Sequence, residues 1–182
     1  KLMEIKDKCG GHLASNLGVV ELTIALHAIF ESPKDKFIWD VSHQCYSHKM
    51  LTGRLDRIFT LKKYKGLSGF AKIAESEHDI FGAGHASTSI SAGLGLAHSR
   101  DMQNQDHNVI SIFGDAALSG GMAYEAINNV SQLKGNFICI LNDNDMSISP
   151  PVGSMANYIT SLRTSGVYNK MKRKFESIMN RI

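Results

Sequence analysis

Nothing in the sequence offers a disulfide framework. Its three cysteines, Cys9, Cys45 and Cys139, are far apart, odd in number and form no C-x-x-C motif. That pattern fits a reducing compartment, with Cys139 read as a core residue of its strand. Long apolar runs are also lacking, so no segment reads as a bilayer span, and the first residues carry no signal-peptide pattern. Charge of one sign is scarce too: 20 Lys and Arg against 17 Asp and Glu leave +3 with histidines neutral. So small a surplus implies neither a nucleic-acid partner nor a membrane surface. Internal repeats and low-complexity tracts are missing as well. What remains is ordinary for a globule, 43% hydrophobic and 20% charged in 182 residues, enough for one α/β domain with a real core. The expected location is the cytoplasm, or a plastid if a transit peptide precedes Lys1. The opening KLME reads as mid-helix, so the chain is expected to be part of a longer, multidomain protein, with 1–182 as a single domain.

Two stretches organise the rest, 110–121 (ISIFGDAALSGG) and 137–149 (FICILNDNDMSIS). Each is a short β-branched or aromatic run that ends abruptly in oxygen-bearing residues, as a buried parallel strand does when its carboxyl end carries a site. Between them 119–133 has helix length, with Met122, Ala126, Ile127, Val130 and Leu133 on one face and Gly135 as the stop. The unit reads as βαβ, and a right-handed crossover sets the two strand ends side by side. Asp115 and Asn144, 29 positions apart in sequence, then converge. A carboxylate, an amide oxygen and a nearby backbone carbonyl suit Mg²⁺, which keeps other positions for water and phosphate oxygens. The helix start after Asp115 adds N–H groups that favour an anion.

Around this unit the chain reads as a doubly wound sheet, with helices on both faces. Residues 1–8 end a helix closed by Gly10-Gly11, which swings His12 into position. Residues 19–30 are apolar nearly all round, hence a buried helix. A strand at 37–41 ends at Asp40, on the carboxyl edge where ligands collect in such sheets. His43 starts a helix to about Leu51, capped by Gly53. His43 and His48, five apart, lack the i, i+4 alignment of zinc pairs. Lys62-Lys63-Tyr64-Lys65 is a solvated face, 65–79 an exposed connection, and 80–85 a brief strand into a glycine turn. Ser87 or Thr88 caps a helix to about Ser99, whose small residues allow close backbone approach. Residues 101–107 form a polar loop. Residues 150–153 break the structure, and two helices follow over 157–163 and 168–182, the last basic and simply solvated.

The pair of central stretches resembles the thiamine-diphosphate motif, Gly-Asp-Gly followed just under thirty residues later by Asn-Asp-Asn. Further blocks narrow the likeness: 11–18 (GHLASNLG), 39–44 (WDVSHQ), His48-Lys49, 51–54 (LTGR), 84–91 (GHASTSIS) and 141–149 (LNDNDMSIS). In order and spacing these resemble the 1-deoxy-D-xylulose-5-phosphate synthase family from about Cys9 onward.

The resemblance implies an α/β thiamine-diphosphate-binding fold, with thiamine diphosphate and Mg²⁺ as cofactors. Mg²⁺ would be held by Asp115, Asn144 and the Met146 carbonyl. His43, Gly84, His85, Ala86, Ala116, Ala117 and Asn144 would line the cofactor. His12, with His43, would exchange protons with substrate oxygens. From the residues alone His43 serves equally as a helix-cap partner, and a lone histidine such as His12 equally as a structural group. The implied reaction joins pyruvate to glyceraldehyde 3-phosphate with loss of CO₂, in a homodimer of the full chain. The family's catalytic glutamate and phosphate-gripping arginines would come from elsewhere, leaving this piece inert alone. Two departures stand out: Ala116 where the motif has glycine, and Ser42 where glycine precedes the second histidine. A transketolase-like subunit of a split enzyme and a non-catalytic cofactor-fold module are the rival readings.

Overall fold

The computed structural model describes residues 1–143, Ser154, Tyr158, Ser161 and 164–179. The chain divides into two compact units, Lys1–Met146 and Ser147–Ile182. In the first unit β1 (Lys36–Trp39), β2 (Val109–Gly114) and β3 (Phe137–Asn142) form a parallel sheet in the order β1-β2-β3. Phe37 pairs with Ile110 and Trp39 with Ile112; Ile110 pairs with Ile138 and Ile112 with Ile140. Because side chains alternate along a strand, this register gathers six apolar residues on one face. They pack with Ile5, Leu26, Tyr46, Ile58, Leu61 and Leu67. These partners come from α1 (Leu2–Cys9), α3 (Val20–Ile29), α4 (Tyr46–Lys49) and the turns after it. On the opposite face Ile38 and Val109 meet Ala97, while Phe113 meets Ile90, Leu94, Ala123 and Ala126. That layer is α5 (Ser89–Met102) and α6 (Gly121–Asn129). The expected α/β class, a parallel sheet covered by helices on both faces, is therefore found.

The close approach expected at α5 is present: Ser111 Oγ, within β2, donates to the Ser89 carbonyl at 2.7 Å. Several local expectations are corrected. Only Thr23 and Leu26 of α3 are fully buried, whereas Ile24 and Ile29 are 54% and 75% exposed, so the helix is not enclosed all round. On α6 the inner face is Ala123 and Ala126, turned toward α5, and Met122 and Ile127 stand outside. Cys139 is exposed, because β3 is the sheet edge among the described residues and no described helix covers that part of it. Residues 80–85 form no strand; they run as irregular chain through Gly82 and Gly84. Nor is 65–79 an exposed connection, since Leu67, Ala71 and Asp79 are buried.

In the second unit α7 (Gly166–Met179) carries Tyr168, Met171 and Phe175 along one exposed stripe, a feature the basic composition had obscured. The expected break at 150–153 lies outside the described residues, as does most of the expected helix at 157–163.

Candidate functional site

At the carboxyl end of β1 the backbone turns sharply. Val41 and Ser42 both lie in the left-handed region, at φ 54° and 62°, a conformation that is a genuine outlier for a β-branched residue. Such strain persists where surrounding bonds hold it, and it collects at functional sites. The holding groups are visible. Buried Asp40 accepts hydrogen bonds from the Ser87 and Ser89 amides at 2.9 and 3.0 Å. The Ser42 amide donates to the Asp40 carbonyl. Buried Ser42 Oγ accepts from the Ala71 amide at 2.8 Å.

This turn delivers His43, and a separate one delivers His12. Gly10 and Gly11 adopt φ 62° and 142°, and a β-carbon on Gly11 would sit 2.7 Å from Tyr46 Oη. Only glycine fits there. α2 (Leu13–Leu17) follows. Its fully buried Asn16 binds the two turns together: Nδ2 donates to the carbonyls of His12 and His43, each at 2.8 Å, and Oδ1 accepts from the Tyr46 amide at 2.9 Å. The His12 and His43 rings then meet edge to face, 5.2 Å between centroids, with Phe70 6.4 Å from His12. His12 is exposed and His43 half-buried. Burial, followed by the neighbouring His12, holds the His43 imidazole below its ordinary pKa against the opposing pull of Asp40. His43 is therefore neutral at pH 7, and its buried Nδ1 has no hydrogen-bond partner among the described residues.

The remaining candidates sit on two further turns. Gly84, His85 and Ala86 are exposed, with His85 Nδ1 2.7 Å from the Ala86 carbonyl oxygen. Asp115, partly buried, opens a tight helical turn (Asp115–Ser119) directly after β2. Ala116 is exposed and is not among the positive-φ residues, so its methyl group meets no backbone penalty. Ala117 instead points into the core beside Phe113, leaving only its backbone for a ligand. Gly120 closes this turn against Ser87 so tightly that a β-carbon there would overlap the serine side chain. The 84–87 turn is thus tied to the β1 tip through Asp40 and to the 115–120 turn through Ser87. Gly114 pairs with Asn142; Asn144 and Met146 lie outside the described residues.

Asp115 together with the N–H groups of its turn matches the chemistry of a Mg²⁺-bridged diphosphate, which asks the protein for only one or two carboxylates. Among the described residues no three His, Cys, Asp or Glu side chains are gathered for a metal, a set such an ion does not need.

Sequence reasoning missed what lies beneath. Arg54 grips Asp79 with two bonds of 2.7 and 2.8 Å, and Lys49 Nζ lies 2.6 Å from Glu75 Oε2. The Lys49 and Asp79 side chains are wholly buried. His48 Nε2 lies 3.4 Å from Asp79 Oδ1, and His48 Nδ1 3.0 Å from His27 Nε2. Burial alone would raise the Asp79 carboxyl, but His48 and Arg54 beside it outweigh that and hold it well below the usual range. The available signal was a pair of carboxylates, Glu75 and Asp79, in an irregular stretch that follows the cations Lys49 and Arg54 in the chain. Asn16 offered none, since a buried asparagine looks like any other.

The 1-deoxy-D-xylulose-5-phosphate synthase family profile matches residues 1–182. The chain is 56% identical over 179 residues, 98% of its length, to the 1-deoxy-D-xylulose-5-phosphate synthase of Caldanaerobacter subterraneus subsp. tengcongensis. It is 57% identical over 181 residues, all of its length, to that of Alkaliphilus oremlandii, and 57% identical over 175 residues, 96% of its length, to that of Syntrophomonas wolfei. It spans 29%, 29% and 27% of these three curated relatives. With the motif blocks, the parallel sheet and this end-to-end likeness in agreement, the chain belongs to the 1-deoxy-D-xylulose-5-phosphate synthase family.

Proposed function

We propose that this chain forms the diphosphate- and Mg²⁺-holding part of a transferase that condenses pyruvate with glyceraldehyde 3-phosphate, with loss of CO₂, to give 1-deoxy-D-xylulose 5-phosphate. In this reading the product feeds isoprenoid and thiamine biosynthesis, and the full-length protein works as a cytoplasmic homodimer. The observation that carries the reading is the meeting of three turns at one sheet edge, 40–43, 84–87 and 115–120, joined by Asp40 and Ser87.

Asp115, Asn144 and the Met146 carbonyl would hold Mg²⁺. His43, Gly84, His85, Ala86, Ala116 and Ala117 would line thiamine diphosphate, Ala117 through its backbone alone. When bound, that cofactor supplies the carbon nucleophile and the electron sink for decarboxylation. The chain's own residues position and exchange protons. His12, exposed at the head of α2, would give and take a proton at the substrate oxygens, a role worth ~10²–10⁴ in rate where it operates. His43, kept neutral by burial, would donate a hydrogen bond without adding positive charge. Asn16 fixes the spacing of the two rings by holding both of their backbone carbonyls.

Calorimetry of the full-length protein with thiamine diphosphate and Mg²⁺ tests the cofactor half of this reading. Wild type should bind, and Asp115→Ala should weaken binding at least tenfold. No heat with wild type, or no change on Asp115→Ala, would favour the non-catalytic module. The negative φ of Ala116 already removes one motive for that rival. A substrate panel that releases CO₂ from pyruvate separates the proposed reaction from transketolase-like transfer.

A further inference from the structure

Residues 61–88 cross from the helical layer to the sheet edge with only one short helical turn, Ile73–Glu75. A segment that irregular cannot satisfy or fix its backbone through ladders of its own, so side chains must receive its amides. They do so in a pattern. Glu75 Oε1 accepts from the Ser68 amide at 2.5 Å, and Asp79 Oδ2 accepts from the Lys72 amide at 2.9 Å. Each of these carboxylates is in turn held by a cation from the helical layer, Lys49 or Arg54. The two charges of each sign leave the cluster neutral as a set.

Four charged groups inside a fold are a poor way to gain stability, since well-packed apolar residues usually do as well or better. They are a good way to specify one geometry, because a buried carboxylate with several donors tolerates few alternative placements. What the geometry specifies here is the stretch between Ser68 and Lys72. That stretch carries Phe70, beside the His12 ring, and Ala71, whose amide is bound by Ser42 next to His43.

We propose that the buried Lys49–Arg54–Glu75–Asp79 cluster is a positioning device, which clamps residues 68–72 as a fixed wall beside His12 and His43. The inference rests on the reading of that histidine pair as the proton-handling face of the site. None of the four residues touches substrate in this scheme; they act through the Ser68 and Lys72 amides. A wall displaced by an ångström would misplace the substrate relative to His12, and displacements of that size cost up to about 10² in rate.

The test uses the full-length protein with Glu75→Gln and Asp79→Asn, both close to isosteric. Three readouts are taken: amide hydrogen exchange at Ser68 and Lys72, thiamine diphosphate affinity by calorimetry, and kcat with pyruvate and glyceraldehyde 3-phosphate. Glu75→Gln is the primary variant, because Glu75 lies at the cluster's edge with 12% of its side chain exposed. It should speed Ser68 exchange at least about tenfold and lower kcat about tenfold or more, with cofactor affinity changed less than about threefold. Asp79→Asn should do the same at Lys72; if it fails to fold, Glu75→Gln alone decides. Unchanged exchange at Ser68 in Glu75→Gln overturns the clamp. So does faster exchange with kcat unaltered, since the wall would then not matter to the site. If wild type binds no cofactor or forms no product, the functional reading fails instead, and the exchange rates still decide whether the cluster holds the loop.

Discussion

Ser42 stands in the left-handed region with its side chain wholly buried, at the position where the family resemblance calls for glycine. A β-carbon in that conformation costs roughly 1–2 kcal/mol. The hydrogen bond from the Ala71 amide to Ser42 Oγ returns a similar amount, about 1 kcal/mol net. The two substitutions that separate these contributions should therefore differ. Ser42→Ala keeps the strain and leaves the buried Ala71 amide without a partner, which should destabilise the protein by roughly 1–3 kcal/mol. Ser42→Gly relieves the strain while losing the same bond, and should fall within about 1 kcal/mol of wild type. Chemical denaturation of the three proteins side by side checks the order. Equal losses for both variants would mean that the left-handed turn carries no strain worth relieving. At this scale the sequence was only half legible. It marked position 42 as a departure, but a hydroxyl group's partner 29 residues onward (42 to 71) is set by the path of an irregular loop.

Between elements, the contact of α3 with α4 runs through two imidazoles. His27 on α3 lies 3.0 Å from His48 on α4, with its ring edge-on to Phe37 of β1. Burial, and then the proximity of His48 and His78, lowers the His27 pKa from 6.5 to about 4. Burial likewise lowers that of His48, against the pull of Asp79. A histidine whose folded pKa lies below its unfolded one stabilises the fold above the unfolded value. That contribution is lost as pH falls from about 6.5 toward about 4, because only the unfolded chain takes up the proton in that window. Melting temperature should therefore drop between pH 7 and pH 4, with roughly 1–3 kcal/mol of the loss owed to His27. His27→Gln should flatten the acid limb of a melting-temperature profile; an unchanged limb would locate the acid sensitivity elsewhere. The elements themselves were largely readable. Short, almost wholly apolar runs at 37–41 and 110–113 announced strands buried on both faces, and the oxygen-bearing residues after Gly114 announced the sheet's working edge. The faces of α3 and α6 were not, because apolar residues such as Ile24, Met122 and Ile127 fit the helical period yet stand about half exposed. Residues 65–79 misled for the opposite reason: their charges suggested solvent, while their partners Lys49 and Arg54 lay in an earlier helical segment whose burial charge content alone does not reveal.

At the scale of the whole molecule, the proposed reading gives the chain one side of a site. On that reading it supplies Asp115 and the turns that would line the cofactor, beside a His12–His43 pair with the His12 ring exposed. It nevertheless spans less than a third of the curated relatives it matches. Holding a diphosphate and reacting through it are separable tasks, since the first needs a carboxylate, an anion-favouring turn and a divalent ion, whereas the second also needs a proton acceptor for the cofactor and a grip on substrate phosphate. Ligand that binds only the folded state stabilises it by mass action, about 2.7 kcal/mol at a hundredfold excess over Kd. The 182-residue chain should accordingly melt at higher temperature with thiamine diphosphate and Mg²⁺ together than with either alone, and Asp115→Ala should abolish the difference. The same preparation should form no 1-deoxy-D-xylulose 5-phosphate from pyruvate and glyceraldehyde 3-phosphate. A melting shift without product would assign binding to this chain and the remaining chemistry to residues beyond it. Product from the chain by itself would show that His12, His43 and their neighbours suffice, and that the proton acceptor must be sought among the residues described above.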